Sequence, residues 1–180
     1  MADYRHAWAV AGGWALDLFL GRESRPHKDV DVAIWRRDQR ALQHQLRGFA
    51  LCKVVNGNLV EWSRGDWLDL PVHEIHASRV GMAFEILLNE CDDAQWIFRR
   101  NQRIRRDLPA ALLTSGTVPF LAPEVVLLYK SNDPSPTNEQ DFANVAPRLS
   151  LEQTLWLSRA LATCDESHPW LRVLASATSS

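Results

Sequence analysis

A chain of 180 residues, 46% hydrophobic and 23% charged, is long enough to bury one core with room for a small helical appendage. A net charge of −2 gives no global nucleic-acid signal, so nucleic acid is not an expected partner. No run approaches the roughly 18 continuous apolar residues of a membrane span, and MADYRHAW lacks the regions of a secretion signal, which predicts a cytoplasmic protein with no membrane partner. Cys52, Cys91 and Cys164 are widely spaced and outside any CxxC pattern. They exclude a disulfide framework or zinc knuckle and read as packing residues.

Taken in order, Trp8 to Ala11 is a short apolar run, followed by Gly12-Gly13 and a helix-like segment from Trp14 to Leu20 that Gly21 can stop. A glycine pair between strand and helix lets backbone N–H groups approach an anion such as phosphate. Arg22 to Lys28 form a basic loop in which Arg22, Arg25, His27 and Lys28 could neutralise a triphosphate, or could be a solvated turn. Trp14 and Asp17 share a helical face, and Asp17 can cap, pair with Arg22 or touch ligand. Asp29-Val30-Asp31 then lead a buried strand through Trp35. On a strand Asp29 and Asp31 point the same way, roughly 6 to 7 Å apart. A divalent cation resolves their repulsion. Mg²⁺ takes one or two carboxylates and leaves its other positions to water and phosphates.

Asp38 is placed to cap a helix running to Arg47 and closed by Gly48, with Leu42 and Leu46 as its apolar stripe and Arg36, Arg37 and Arg40 on a solvated face. FALCKVV and NLVEW flank Asn56-Gly57, the signal of a hairpin with a type I′ turn. DWLDLPVHEIH and MAFEILLNE read as a second antiparallel pair. Within them Asp69, Glu74 and Glu85 each show an acid flanked by apolar residues, and the pattern does not choose among them. His73 and His76 flank Glu74 without forming HExxH, which suits a sheet face.

Beyond Asn89, aromatic residues alternate with Arg99, Arg100, Arg103, Arg105 and Arg106. This pattern suits either an RNA or nucleotide tail, or a surface segment paired with the acidic ECDD stretch. Ser115-Gly116 makes a turn, and Pro123 opens a helix ending at Lys130. Asn132 to Thr137 is the linker candidate. Ser150 and Gln153 form a capping box for a helix to about Thr163, with Leu155, Trp156, Arg159 and Leu161 suggesting its buried side, and SATSS should fray.

The run GGWALDLFLGRESRPHKDVDVAI resembles the signature of nucleotidyltransferases related to the aminoglycoside 2''-O-nucleotidyltransferases and lincosamide nucleotidyltransferases, in the polymerase-beta-like superfamily. FEILLNE, WIFRR and FLAPEVVLLYK are similar to an uncharacterised bacterial branch of it. The resemblance implies an α/β (α+β) fold: a catalytic core over 1–120 with a mixed sheet flanked by helices, then a small helical region over 121–180. It also implies an N-terminal helix, whereas about seven residues precede the first apolar run. The implied reaction is Mg²⁺-dependent transfer of a nucleoside monophosphate from an NTP, ATP being the expected one, to a hydroxyl of a small-molecule acceptor such as an aminoglycoside-like antibiotic. Asp29 and Asp31 become metal ligands, with Gly12, Gly13, Arg22, His27 and Lys130 at the nucleotide. The resemblance also implies a third carboxylate, ligand or general base: the distance to the Ala-Pro-Glu helix start is most similar to the family's for Glu85, with Glu74 next. Relatives follow the lysine with Lys-Asp-x-x-Asp; here Lys130 and Asp141 are kept, but Asn138 and Glu139 stand between. Two rival readings are a toxin-like transferase acting on RNA or protein, and a degenerate member that binds nucleotide without chemistry. Eight tryptophans and exposed-looking apolar residues leave a homodimer open.

Overall fold

Period-two alternation on the central strands sends apolar side chains to both faces of a mixed sheet, and each face acquires its own core. The computed structural model describes residues 4–177. Its strands are β1 (Trp8–Val10), β2 (Asp31–Trp35), β3 (Ala50–Val55), β4 (Asn58–Glu61), β5 (Glu74–Arg79), β6 (Met82–Cys91), β7 (Gln95–Ile97), β8 (Arg105–Asp107), β9 (Leu112–Ser115) and β10 (Val118–Leu121). The helices are α1 (Gly12–Leu20), α2 (Gln39–Gln45), α3 (Leu108–Ala111), α4 (Pro123–Lys130), α5 (Pro136–Val145), α6 (Leu151–Cys164) and α7 (Trp170–Ala177). Strand order is β4-β3-β5-β6-β2-β1-β10-β9, with β7 beside β6 and β8 beside β7. The pairs β2–β6 and β1–β10 are parallel, and the others antiparallel.

On one face Val32, Ile34, Ile75, Ala77, Ile86 and Leu88 pack with Leu42 and Leu46 and with Trp62. On the other, Ala9, Ala33 and Trp35 join the apolar sides of α1 and of α4 through α7, where Phe142 stacks on Trp170 with ring centroids 4.0 Å apart. Asp31 and Glu85 alternate with residues of the first set, so both face the side that carries α1 and α4. Beneath that layer Glu124, fully buried, accepts hydrogen bonds from Arg106 (2.8 Å) and Gln153 (2.8 Å), tying β8, α4 and α6 together.

Local signals set several boundaries as read. Asn56 (φ 50°) and Gly57 (φ 77°) turn β3 into β4 with Val55 opposite Asn58, and Ser150 and Gln153 bond reciprocally at the start of α6.

Other readings are corrected. β2 begins at Asp31, leaving Val30 exposed, and β5 begins only at Glu74, because Pro71 in the preceding loop has no N–H to donate to a ladder. Asp69 therefore sits exposed on that loop, accepting from Trp67 Nε1. Arg36 is buried rather than solvated, held by Glu90 (2.6 Å) and by the carbonyls of Leu68 and Val72. Asp38 makes no side-chain cap and pairs with His6, and α2 stops at Gln45. The buried side of α6 is Thr154, Leu157, Ala160 and Leu161, with Leu155 exposed, and Cys164 is exposed rather than packed. Ser135 caps α5, so Pro136 and Thr137 belong to that helix rather than to a linker. Ser176 and Ala177 end α7 instead of fraying, and Thr178 to Ser180 lie outside the described residues. Among the described residues, no helix is long and apolar enough to cross a membrane.

Candidate active site

Three adjacent strands place acids in one row. Parallel pairing sets Asp31 of β2 opposite Glu85 of β6, and antiparallel pairing sets Glu85 opposite His76 of β5. His76 Nε2 lies 2.9 Å from Glu74 Oε1 and 3.9 Å from Glu85 Oε1, and ligand atoms of these three residues fall within 4.8 Å of one another. Burial raises the Asp31 carboxyl above its ordinary value, with Lys130 opposing the rise and Asp29 adding to it. Burial also raises Glu85, Asp31 adds to this rise, and His76 opposes it. Two partly buried carboxylates, both raised chiefly by burial, with Glu85 hydrogen-bonded to Asp31, form an oxygen-rich pair. That donor chemistry fits a hard divalent cation, and Asp31 and Glu85, with Asp29 just ahead of β2, are the residues that could hold it.

The glycine pair opens α1 directly after β1, and both members are needed for side-chain approach. A Cβ on Gly12 (φ +59°) would overlap Asp31 Oδ2; one on Gly13 would overlap the His27 ring and come within 2.7 Å of Arg25 Nη2. The basic loop is thus folded back onto the start of the helix. Asp17, buried on α1, accepts from Ser24 N (3.0 Å) and Ser24 Oγ and faces His27 Nε2, while Trp14 lies against the His27 ring at 4.6 Å. Arg25 forks onto Asp141 of α5 at 2.8 and 2.9 Å, and Lys130 Nζ reaches the same carboxylate at 2.9 Å and Asn138 Oδ1 at 2.9 Å. Burial pushes the Asp141 carboxyl up, but hydrogen bonds from Arg25 and Lys130 overcome that and hold it below the usual carboxylate range.

Between the sheet and α4 runs a cleft of about 540 Å³. Gly12, Glu74, Glu85, Asn89, Tyr129, Lys130, Asn138, Arg99 and Arg100 are among the residues that line it. The structure therefore gathers Gly12, Asp31, Glu85 and Lys130. His27 is turned onto Asp17 rather than left free, and Arg22 is exposed, its backbone N–H bonded to the Asp17 carbonyl. Sequence reasoning did not join His76 to the acids, although residues 74 and 76 alternate onto one strand face. It also missed the Arg25–Asp141 fork, for which no local signal exists across 116 residues. The arginine segment divides: Arg105 pairs with Asp92 as the acidic-partner reading expects, and Arg106 is drawn inward to Glu124, whereas Arg99 and Arg100 face the cleft.

The fold resembles that of solved antibiotic-modifying nucleotidyltransferases. The lincosamide antibiotic adenylyltransferase LnuA, with lincomycin bound, matches with a TM-score of 0.53 at 17% identity, over 77% of this chain and 85% of that one. The antibiotic-resistance factor ANT(2'')-Ia matches in its solution structure with a TM-score of 0.61 at 12% identity, over 97% and 90%. Its crystal form with adenylyl-2''-tobramycin gives 0.56 at 14%, over 91% of each chain. No curated protein sequence matches the chain. The fold is that of a nucleotidyltransferase. The chain belongs to the aminoglycoside-2''-adenylyltransferase family, whose model matches residues 1–145, and is a nucleotidyltransferase enzyme.

Proposed function

We propose that this enzyme transfers the nucleoside monophosphate of ATP to a hydroxyl of a small-molecule acceptor, in the cytoplasm, with Mg²⁺ as cofactor. The observation that carries the reading is the register of Asp31 against Glu85, two carboxylates raised chiefly by burial, with Glu85 and Gly12 of the glycine turn lining one cleft. Mg²⁺ held by Asp29, Asp31 and Glu85 would supply positive charge at the phosphoryl group being transferred. The first N–H groups of α1, at Gly12 and Gly13, would be offered to a phosphate at the helix start, with Asp31, His27 and Arg25 packed against the glycines. Lys130, shared with Asp141, adds charge on the same side. Glu85 is near enough to the row to take the acceptor's proton, and His76, between Glu74 and Glu85, is placed to orient it. The acceptor hydroxyl attacks the α-phosphorus in line, pyrophosphate leaves, and positioning supplies much of the rate. The family and the antibiotic-bound neighbours support a small-molecule acceptor of antibiotic type.

The test is Mg²⁺-dependent pyrophosphate release from ATP with a panel of hydroxyl acceptors, comparing the native chain with Asp31→Asn. Release that needs Mg²⁺ and falls at least 10²-fold on substitution is expected. Turnover that survives Asp31→Asn at saturating Mg²⁺ would remove the reading.

A further inference from the structure

The charge lining the cleft changes sign along β6. Glu85 belongs to the acid row, Glu74 pairs opposite Leu87 two residues further on, and Arg99 and Arg100 gather at Tyr129, whose hydroxyl donates to Asn89 at 3.3 Å. Glu85 and Asn89 are four residues apart on β6, about 13 Å at the rise of a strand. Among the described residues, the neighbouring arginines Arg36, Arg105 and Arg106 each hold a carboxylate, Glu90, Asp92 and Glu124 respectively, whereas Arg99 and Arg100 form no ion pair. Both are nevertheless held in place. The Arg99 guanidinium stands over the Tyr129 ring at 5.5 Å, and Arg100 stands 5.7 Å from it while donating Nη1 to the Tyr129 carbonyl at 3.0 Å. Arg99 is half-buried. Burial lowers its pKa, the nearby charges of Arg100 and Arg36 act in the same direction, and Tyr129 and Glu74 oppose them. A half-buried guanidinium and an exposed one beside it, both positioned and neither in an ion pair, can give an arriving anion charge-assisted hydrogen bonds, and the anion relieves the desolvation of Arg99.

We propose that Arg99 and Arg100 receive a carboxylate or phosphate group of the acceptor, so that the substrate class is an extended hydroxyl-bearing acid rather than a polycationic amino sugar. This rests on the proposed reaction, in which the acid row receives the nucleotide and the attacking hydroxyl. An acceptor that runs along β6 from Glu85 towards Asn89 and Tyr129 presents its hydroxyl near Glu85 and its anion roughly 10 Å away. A polyamine in the same place would bring its ammonium groups against the two guanidiniums.

Equilibrium binding to the full chain, saturated with Mg²⁺ and a nonhydrolysable ATP analogue, tests the assignment. Matched probes are lactose with lactobionate, trehalose with its monophosphate, and tobramycin as the polycation. The expected result is at least tenfold tighter binding of one anion over its neutral parent, the scale of a single charge-assisted hydrogen bond. Arg99→Gln with Arg100→Gln should erase that preference and leave affinity for the ATP analogue within about twofold, while Arg99→Lys, which keeps the charge, should retain part of it. Preference for a carboxylate or for a phosphate distinguishes the two sources. Equal binding of charged and neutral probes, tighter binding of tobramycin, or failure of every anion to bind would overturn the proposal. Loss of ATP-analogue affinity in the double variant would assign the pair to the triphosphate, which also overturns it. Indifference of nucleotide binding to Asp31→Asn would instead refute the reaction itself, so the two failures read differently.

Discussion

Glu124 shows how much one residue's environment can demand. It is fully buried, and burial raises its carboxyl despite Arg106 and Gln153. Arg106→Leu alone should cost about 3–5 kcal/mol in denaturant unfolding, because the glutamate is left without its cation. Adding Glu124→Leu should recover most of that loss, and a double variant as unstable as the single would contradict the account. At the acid row, Glu85→Gln should lower turnover by about 10²-fold or more. Asp69→Asn should stay within a few-fold, since Asp69 is on an exposed loop bonded to Trp67. Glu74→Gln is the intermediate case, because its carboxylate lies within 4.8 Å of Glu85 while its strand position is opposite Leu87 rather than in the Asp31–Glu85 register. The sequence offered three acids in equivalent settings because an acid between apolar neighbours is a local property. Which one meets Asp31 depends on how β6 registers against β2, a relation between segments more than fifty residues apart that no window contains.

Among the elements, the start and end of α1 invite a matched pair of substitutions. Gly12→Ala would drive a Cβ into Asp31 at φ +59° and should cost at least tenfold in turnover as well as stability. Gly21 also has a positive φ (+68°), but nothing lies within 4 Å of its Cβ position, so Gly21→Ala should lose only about 1 kcal/mol and leave turnover unchanged. If thermal unfolding and pyrophosphate release respond alike in the two variants, Gly12 is an ordinary turn residue. Ser150→Ala should cost about 1 kcal/mol by breaking the reciprocal cap of α6. Elements with strong local chemistry were legible: the Asn-Gly hairpin, the Pro123 helix and the Ser150 helix. The three-residue strands β7 and β8 were not, since they carry too few positions to show a period, and arginines occupy most of β8.

Across the whole molecule, the basic loop, α4 and α5 meet at Asp141. Its carboxyl is held below the usual range, so its contribution is fully present above the unfolded carboxylate value of about 3.9 and is lost as pH falls through the lower folded value. Asp141→Asn should therefore reduce stability near neutral pH and flatten the acid limb, measured by denaturant unfolding near neutral pH and below the unfolded carboxylate pKa. Parallel pH profiles for the two proteins would contradict this. The family resemblance singled out Lys130 and Asp141, but the arrival of Arg25 at the same carboxylate was not readable beforehand, because it sits in a basic loop 116 residues away. The stacked pair of Phe142 and Trp170 has a consequence for how the chain is made. The apolar side of α5 is roofed by α7, and Leu157 and Leu161 of α6 join the same core. During synthesis the sheet and its acid row leave the ribosome first, while the underside of α5 waits uncovered until the last two helices emerge. A nascent chain stalled between Val145 and Trp170 would display that greasy surface to chaperones, whereas one released beyond α7 would hide it.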